Sequence, residues 1–220
     1  MIEFAESERS SLGVEWELVL VDPDTGVPVN RAPEVFAAMS SPDGSAHPNL
    51  RYEYLKNTVE IVTNVCSSVA DAEADLRQTL TAVQALVWRD GFAVTSMGLH
   101  PFAAWRDVAL TDSERYRRLA SQFGWWGRQL LIYGVHTHVG IEHRDKVAPI
   151  MAGVLAHYGQ FQAISAASPF WNGENTGYAS NRSMLFRQLP SSGLPPEFKS
   201  WSEIATAAEQ MLSTGLIQEF

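Results

Sequence analysis

Apolar and charged positions alternate near the start of the chain. Gly13-Val14-Glu15-Trp16-Glu17-Leu18-Val19-Leu20-Val21-Asp22 is rich in β-formers and is closed by the turn sequence Pro23-Asp24-Thr25-Gly26. That pattern predicts a strand. On a strand Val14, Trp16, Leu18 and Leu20 share one face and suit a core, while Glu15 and Glu17 share the other. Arg51 to Val65 is again extended in character, with Tyr52, Tyr54, Val59, Ile61 and Val62. Ser67 or Ser68 offers an N-cap, Val69, Leu76, Leu80, Val83 and Val87 recur at helical spacing, and Gly91 supplies a stop. Phe92 to Leu99 reads as a strand. Thr111-Asp112-Ser113-Glu114 reads as a capping box for a helix that runs into Trp125-Trp126. Leu130 to Glu142 reads as a third clear strand. Asp145 to about Ala167 reads as one long helix with Pro149 in its first turn. A loop from Ser168 to Pro196 follows, and Trp201 to Leu212 is a last amphipathic helix. Strands and helices in mixed order predict a sheet with helices packed on one face.

Composition narrows the class. The 220 residues are 45% hydrophobic and 19% charged, and the net charge is −9. An acidic chain is not built for general contact with nucleic-acid backbone. A single cysteine, Cys66, excludes an intrachain disulfide. It lies beside a helix N-terminus, where a thiol pKa can fall, but a small buried hydrophobe is the simpler reading. The acidic N-terminal residues resemble no signal peptide, and no apolar run reaches the roughly 18 residues of a membrane span. The expectation is a cytoplasmic protein that binds neither membrane nor nucleic acid.

Four stretches carry candidate chemistry. Glu15 and Glu17 sit roughly 6–7 Å apart on one strand face and repel unless something neutralises them. They suit either exposed edge glutamates or ligands for a hard cation. Glu53 and Glu60 are seven residues apart, so they face the same way only if a turn or bulge intervenes, for which Asn57-Thr58 is suited. Glu53 could be solvated and paired with Lys56. Glu60, between Val59 and Ile61, is harder to leave unpartnered. In Gly134-Val135-His136-Thr137-His138-Val139-Gly140 the two histidines share a face, and the flanking glycines permit close approach. A set made mostly of carboxylates suits magnesium or manganese better than zinc. A zinc hydrolase is therefore the weaker option. Finally, Ser168 to Arg182 is long, polar and aromatic, and Arg182 could clamp a carboxylate or phosphate, or be a surface residue.

Together, Gly-Val-Glu-Trp-Glu-Leu, the Glu53–Glu60 segment, Gly-Val-His-Thr-His-Val-Gly and Ser-Pro-Phe-Trp-Asn-Gly-Glu-Asn-Thr-Gly-Tyr-Ala-Ser-Asn-Arg resemble the carboxylate–amine ligase family. Its members are often called type 2 glutamate–cysteine ligases and are distant relatives of glutamine synthetase. The resemblance implies an α+β fold, a curved and mainly antiparallel sheet forming a funnel with helices outside. It implies ATP-dependent conversion of a glutamate γ-carboxylate to an acyl phosphate, then attack by an amine such as that of cysteine. By the same resemblance Glu17, Glu53 and Glu60 would hold one Mg2+ or Mn2+ ion. Glu15 and His136 would hold part of a second beside the ATP phosphates. His138 would face the transferring phosphoryl group, and Arg182 would hold the glutamate or the acyl phosphate.

Members of that family are typically much longer, with a Trp-Trp-Asp-x-Arg-Pro segment and a later Glu-x-Arg strand that are missing here. Residues 1–220 are therefore expected to form the N-terminal portion of one catalytic domain, incomplete at its C-terminal end, with Leu216 to Phe220 beginning a further element. Sheet edges and helix faces left open by that incompleteness could drive homo-oligomerisation. The alternative reading is a truncated cation-binding remnant, or a subunit fragment, without turnover.

Overall fold

The computed structural model describes residues 2–189 and 192–217. Its organising element is β1 (Leu12–Val21), a strand long enough to carry two neighbours along one edge. On its other edge β3 (Thr58–Val62) pairs antiparallel, setting Glu17 opposite Glu60 and Glu15 opposite Val62. β2 (Leu50–Tyr52) continues beyond β3, with Arg51 opposite Glu60. The shared edge of β1 takes β5 (Val135–Val139) along its first half, with Glu15 opposite His136 and Gly13 opposite His138. The second half takes β4 (Ala93–Thr95). The described sheet has five strands, all paired antiparallel.

Period-two alternation sorts the two faces of this sheet. Leu18, Leu20, Val59 and Ile61 point to one side, where α1 (Ala32–Met39) and α2 (Val69–Arg89) bury them. Ala32, Val35, Phe36, Val83, Leu86 and Val87 are the buried helical residues of that core. Trp16 is half-buried against it, and its indole N–H donates to Ser96 Oγ at 2.9 Å. α1 and α2 thus cover one face, as the pattern predicts, but the other is not left bare: residues 114–128 and 181–186 form helices that meet it at the carboxylate end. The opposite face carries the glutamates and histidines at one end of β1 and Val19 and Val21, packed on Tyr133, at the other. Ser68 caps α2 by accepting from the Asp71 N–H, and Gly91 leaves it with φ of +80°. Cys66 is buried, as expected of a small hydrophobe.

Several elements are shorter or more broken than the pattern predicts. Arg51 to Val65 is a hairpin of two strands, with Leu55 and Asn57 buried in the turn and Thr58 already the first residue of β3. Phe92 to Leu99 and Leu130 to Glu142 keep only β4 and β5 as ladders. Between them a single bridge joins Leu99 to Ile132. Apolar residues continue past each ladder for other reasons than pairing: Phe92 joins the main core, Met97 and Tyr133 pack with Val19 and Val21, and Leu131 fills a separate core with Leu55 and Ala103.

The capping box at Thr111 does not form. Ser113 is the N-cap of α3 (Glu114–Arg128), and Thr111 donates its hydroxyl to the Glu53 carbonyl. Gly124, at φ 55° and ψ −126°, kinks α3 where only glycine is relaxed. The helix expected from Asp145 to Ala167 is split at His157 into α4 (Val147–Ala156) and α5 (Tyr158–Ile164), with Pro149 in the first turn of α4. The loop after it contains a tight hairpin of β6 (Phe170–Trp171) and β7 (Glu174–Asn175), then α6 (Asn181–Phe186). Asn172 and Gly173, both at positive φ, make its two-residue turn. α7 (Trp201–Ser213) ends at Gly215, with φ of +72°. Of the further element expected at Leu216 to Phe220, residues 218–220 lie outside the described residues, as do Pro190 and Ser191 of the loop.

Candidate functional site

β1 delivers the first two carboxylates. Glu17 is held twice by Gly134: its backbone N–H donates to the Gly134 carbonyl at 2.9 Å, and its Oε2 accepts from the Gly134 N–H at 2.6 Å. Glu15 reaches the other way, with Oε2 3.1 Å from His136 Nδ1 and Oε1 3.3 Å from His138 Nε2. Both histidines therefore stand on the carboxylate face, where the antiparallel register to β1 puts them. His136 and His138 are exposed, Glu15 and Glu17 half-buried.

The hairpin brings in the other two. Glu60 lies directly across from Glu17 and is only 6% exposed. Glu53 follows β2 at the entry to the turn, so the chain reversal cancels the odd spacing and returns both carboxylates to one side. Glu53 Oε2 accepts from the Tyr54 N–H at 3.0 Å, an anchor different from the Lys56 partner considered for it.

The result is two sets of three ligand atoms, each set mutually within 4.8 Å. One is Glu17, Glu53 and Glu60; the other is Glu15, Glu60 and His136. Glu60 belongs to both. Burial first, then the charges of Glu53, Glu15 and Glu17, pushes its carboxyl up to about 8. Glu17 is raised as well, by burial and by Glu53, against the pull of the Gly134 N–H, His136 and Arg182. Four carboxylates gathered this closely are held at a cost that a divalent cation removes, and oxygen donors with one imidazole match a hard cation. The residues present therefore fit such an ion.

Arg182 approaches the same face from α6. Ser180 caps this helix by accepting from the Ser183 N–H, and the Arg182 N–H donates to Ser168 Oγ at 3.2 Å. The guanidinium lies 4.8 Å over the Phe186 ring, and its Nε is buried with no hydrogen-bond partner among the described residues. Burial lowers its pKa while Glu17 opposes that shift. Gly134 is what allows the convergence. A Cβ there would lie 2.7 Å from His136 Nε2 and 3.2 Å from Arg182 Nη2. At the other end of the motif, a Cβ on Gly140 would sit 2.1 Å from the Glu8 carbonyl, so that glycine accommodates the N-terminal segment.

Two cavities flank the cluster. The first, about 480 Å³, is lined by Glu15, Glu60, His138, Arg51 and Asn64. The second, about 270 Å³, is lined by Glu17, His136 and Arg182 and by a set of apolar side chains. Glu53, Arg115 and Tyr116 line both. Burial and the nearby Glu53 push the Tyr116 phenol up to about 12, and its hydroxyl donates to the Tyr52 carbonyl at 3.1 Å. Arg115 and Tyr116 were not singled out by the sequence motifs. Their only signal is a place in the first turn of a capped helix, which does not say what that turn faces.

A model of glutamate–cysteine ligase family 2 matches residues 11–220. The provisionally named glutamate–cysteine ligase 2 of Leifsonia xyli subsp. xyli is 46% identical over 218 residues, covering 99% of this chain and 58% of that protein. The provisionally named counterpart in Mycobacterium ulcerans is 45% identical over 216 residues, covering 98% and 54%. The chain thus spans somewhat more than half the length of these curated relatives. Among solved structures, a bifunctional glutathione synthetase from Pasteurella multocida aligns with a TM-score of 0.48 at 17% identity, covering 70% of this chain and 19% of that one. A glutamate–cysteine ligase from Francisella tularensis in complex with AMP gives 0.45 at 14%, covering 71% and 31%. Matched by the family model from residue 11 to residue 220, and nearly half identical to relatives over almost its whole length, the chain belongs to glutamate–cysteine ligase family 2.

Proposed function

We propose that this chain carries the cation-binding and part of the substrate-binding machinery of an ATP-dependent carboxylate–amine ligase of the glutamate–cysteine type. The observation that supports it is the pair of three-ligand sets sharing Glu60, on one sheet face with Arg182, in a chain of this family. ATP and a glutamate γ-carboxylate are both anions. Bringing them into contact requires neutralisation, which two magnesium or manganese ions supply when bound. Glu17, Glu53 and Glu60 would hold one ion near the acid. Glu15, His136 and the shared Glu60 would hold the other near the nucleotide, with His138 facing the phosphoryl group. Arg182, partly desolvated and with its Nε unpartnered among the described residues, would grip a substrate carboxylate or the acyl phosphate.

In this reading a carboxylate oxygen attacks the terminal phosphorus of ATP, and ADP leaves. The amine nitrogen then attacks the acyl carbon, the nitrogen sheds a proton, and inorganic phosphate departs as the amide forms. Positioning is the work of this chain's residues. Glu17 is fixed at both ends by Gly134, and His136 is oriented by Glu15. Closure of the sheet into a funnel, and a cytoplasmic location where ATP is available, belong to the same reading.

A second reading is favoured by the length relation: cation binding without turnover, as a portion of a larger catalytic unit. One experiment separates the two. Purified chain is mixed with ATP, manganese, glutamate and cysteine, and ADP and γ-glutamylcysteine are followed by mass spectrometry beside ATP binding by calorimetry. Dipeptide that disappears in Arg182→Gln supports ligation by these residues alone. Manganese-dependent ATP binding without dipeptide supports the partial unit. Absence of both manganese and ATP binding overturns the proposal.

A further inference from the structure

Away from the carboxylate cluster, two guanidiniums share one indole. Arg106 Cζ lies 4.4 Å from the centre of the Trp105 ring, and Arg128 Cζ lies 5.5 Å from it. Trp125 meets the same ring edge-on, with centroids 6.1 Å apart. Among the described residues neither arginine pairs with a carboxylate or donates a hydrogen bond. The acid beside Arg106 in sequence, Asp107, is engaged elsewhere: its Oδ2 accepts from the Ala104 N–H at 2.9 Å. In this acidic chain Arg31, Arg77, Arg117 and Arg118 each meet a carboxylate. Two arginines that converge on one ring with no acid at either therefore stand apart. Like charges held close repel, and an anion between them removes that cost.

The platform is fixed by the fold. The half-buried Trp105 ring packs on the core of Leu55, Ala103 and Leu131. Asn30 pins the loop that follows, donating to the Asp107 carbonyl at 3.1 Å and accepting from the Ala109 N–H at 2.8 Å. The Tyr54 hydroxyl donates to the Gly127 carbonyl at 3.2 Å, which anchors the end of α3 beside Arg128. Stacking engages the face of a guanidinium and leaves its in-plane N–H groups to grip an oxyanion. Trp125, 55% exposed, offers an aromatic surface next to them. Trp105, Arg106, Trp125 and Arg128 line neither cavity at the carboxylate cluster.

We propose that these four residues form a second ligand site, which takes a phosphorylated small molecule carrying a flat ring, the chemistry of a nucleotide. The phosphoryl groups meet the two guanidiniums, and the ring stacks on Trp125. The site needs no divalent cation, which separates it from the nucleotide placed at the carboxylate cluster in the ligase reading. The net charge of −9 opposes an extended nucleic-acid strand as the occupant.

The test is isothermal titration of the chain with ADP and with pyrophosphate, in chelator and at low salt. Wild type is expected to bind both. The double variant Arg106→Gln/Arg128→Gln should bind each about tenfold more weakly or worse. Trp125→Ala should lose about fivefold or more for ADP and nothing for pyrophosphate. Glu60→Gln, which disables the carboxylate cluster, should keep ADP binding in chelator. Circular dichroism melts establish that each variant folds, and the single arginine variants are read instead if the double one does not. Absence of ADP binding by wild type in chelator overturns the proposal. ADP affinity unchanged in a folded arginine variant or in Trp125→Ala, or lost in Glu60→Gln, also overturns it. A single-stranded oligonucleotide that binds more tightly than ADP through the same arginines would overturn the small-molecule assignment.

Discussion

Replacing Glu60 by glutamine should change stability in opposite directions with and without a divalent cation. Glu60 is 6% exposed and sits between Glu17, Glu53 and Glu15, and its carboxyl is pushed up from 4.5 to about 8. The sign follows from linkage. Below the unfolded value both states are protonated and nothing is lost. As pH rises from 4.5 toward 8 the unfolded chain releases its proton while the folded chain keeps it, so the metal-free protein loses stability across that window. At about 1.4 kcal/mol per pH unit, the span from 4.5 to pH 7 corresponds to about 3 kcal/mol. Water relaxation around the cluster reduces the expected effect to about 1–2 kcal/mol.

Glutamine keeps the shape and removes the charge. The metal-free Glu60→Gln chain should therefore melt roughly 2–8 °C higher than wild type at pH 7, given about 2–4 °C per kcal/mol in a chain of this size. Saturating manganese at about 100 times its dissociation constant adds about 2.7 kcal/mol to the wild type. Most of that should be lost in the variant, because Glu60 is the one residue in both ligand sets. The assay is thermal unfolding by circular dichroism in chelator and in manganese, at pH 5, 7 and 8. Parallel shifts of both proteins with manganese, or a variant less stable than wild type in chelator at pH 7 to 8, would refute the account of the cluster.

Three further outcomes are expected. Gly134→Ala should fold but lose at least tenfold in manganese affinity by calorimetry, since its Cβ would lie 2.7 Å from His136 Nε2; unchanged affinity would show that His136 is not held there by the glycine. Tyr133→Phe should destabilise by about 1–3 kcal/mol in urea unfolding, because the fully buried Asn57 Nδ2 now donates to the Tyr133 hydroxyl at 2.8 Å and would lose its partner. Cys66→Ala should cost no more than about 1–2 kcal/mol and leave the manganese shift intact, as befits a buried thiol whose S–H reaches the Asn64 carbonyl at 3.3 Å; loss of the shift with folding retained would give that thiol a role at the site.

The central strand, the face carrying Glu15 and Glu17 and the pairing of His136 with His138 on one side were legible in the sequence. Alternation on a strand is a local geometric rule that needs no partner. The helix from Val69 was legible for a similar reason, since its period, its Ser68 cap and its Gly91 stop all lie within the segment. The sequence could state that Glu53 and Glu60 required a turn between them. Only the tertiary structure placed the reversal so that Arg51 faces Glu60, and only the antiparallel register to β1 brought Glu60 opposite Glu17.

What the sequence could not determine depends on contacts between segments far apart in the chain. The breaks in the strands at Phe92 and Leu130, and in the helix at His157, are invisible to a pattern of apolar residues. Such residues serve a ladder, a separate core or a cavity wall equally well. Leu130 and Ile132 continue a strand-like pattern, yet they line the second cavity with Arg182. Arg115 and Tyr116 look like ordinary residues of a helix's first turn until that turn is packed beside Glu53. Composition and periodicity fix which face of an element is apolar. Which cavity that face meets is decided by the packing of every other element around it.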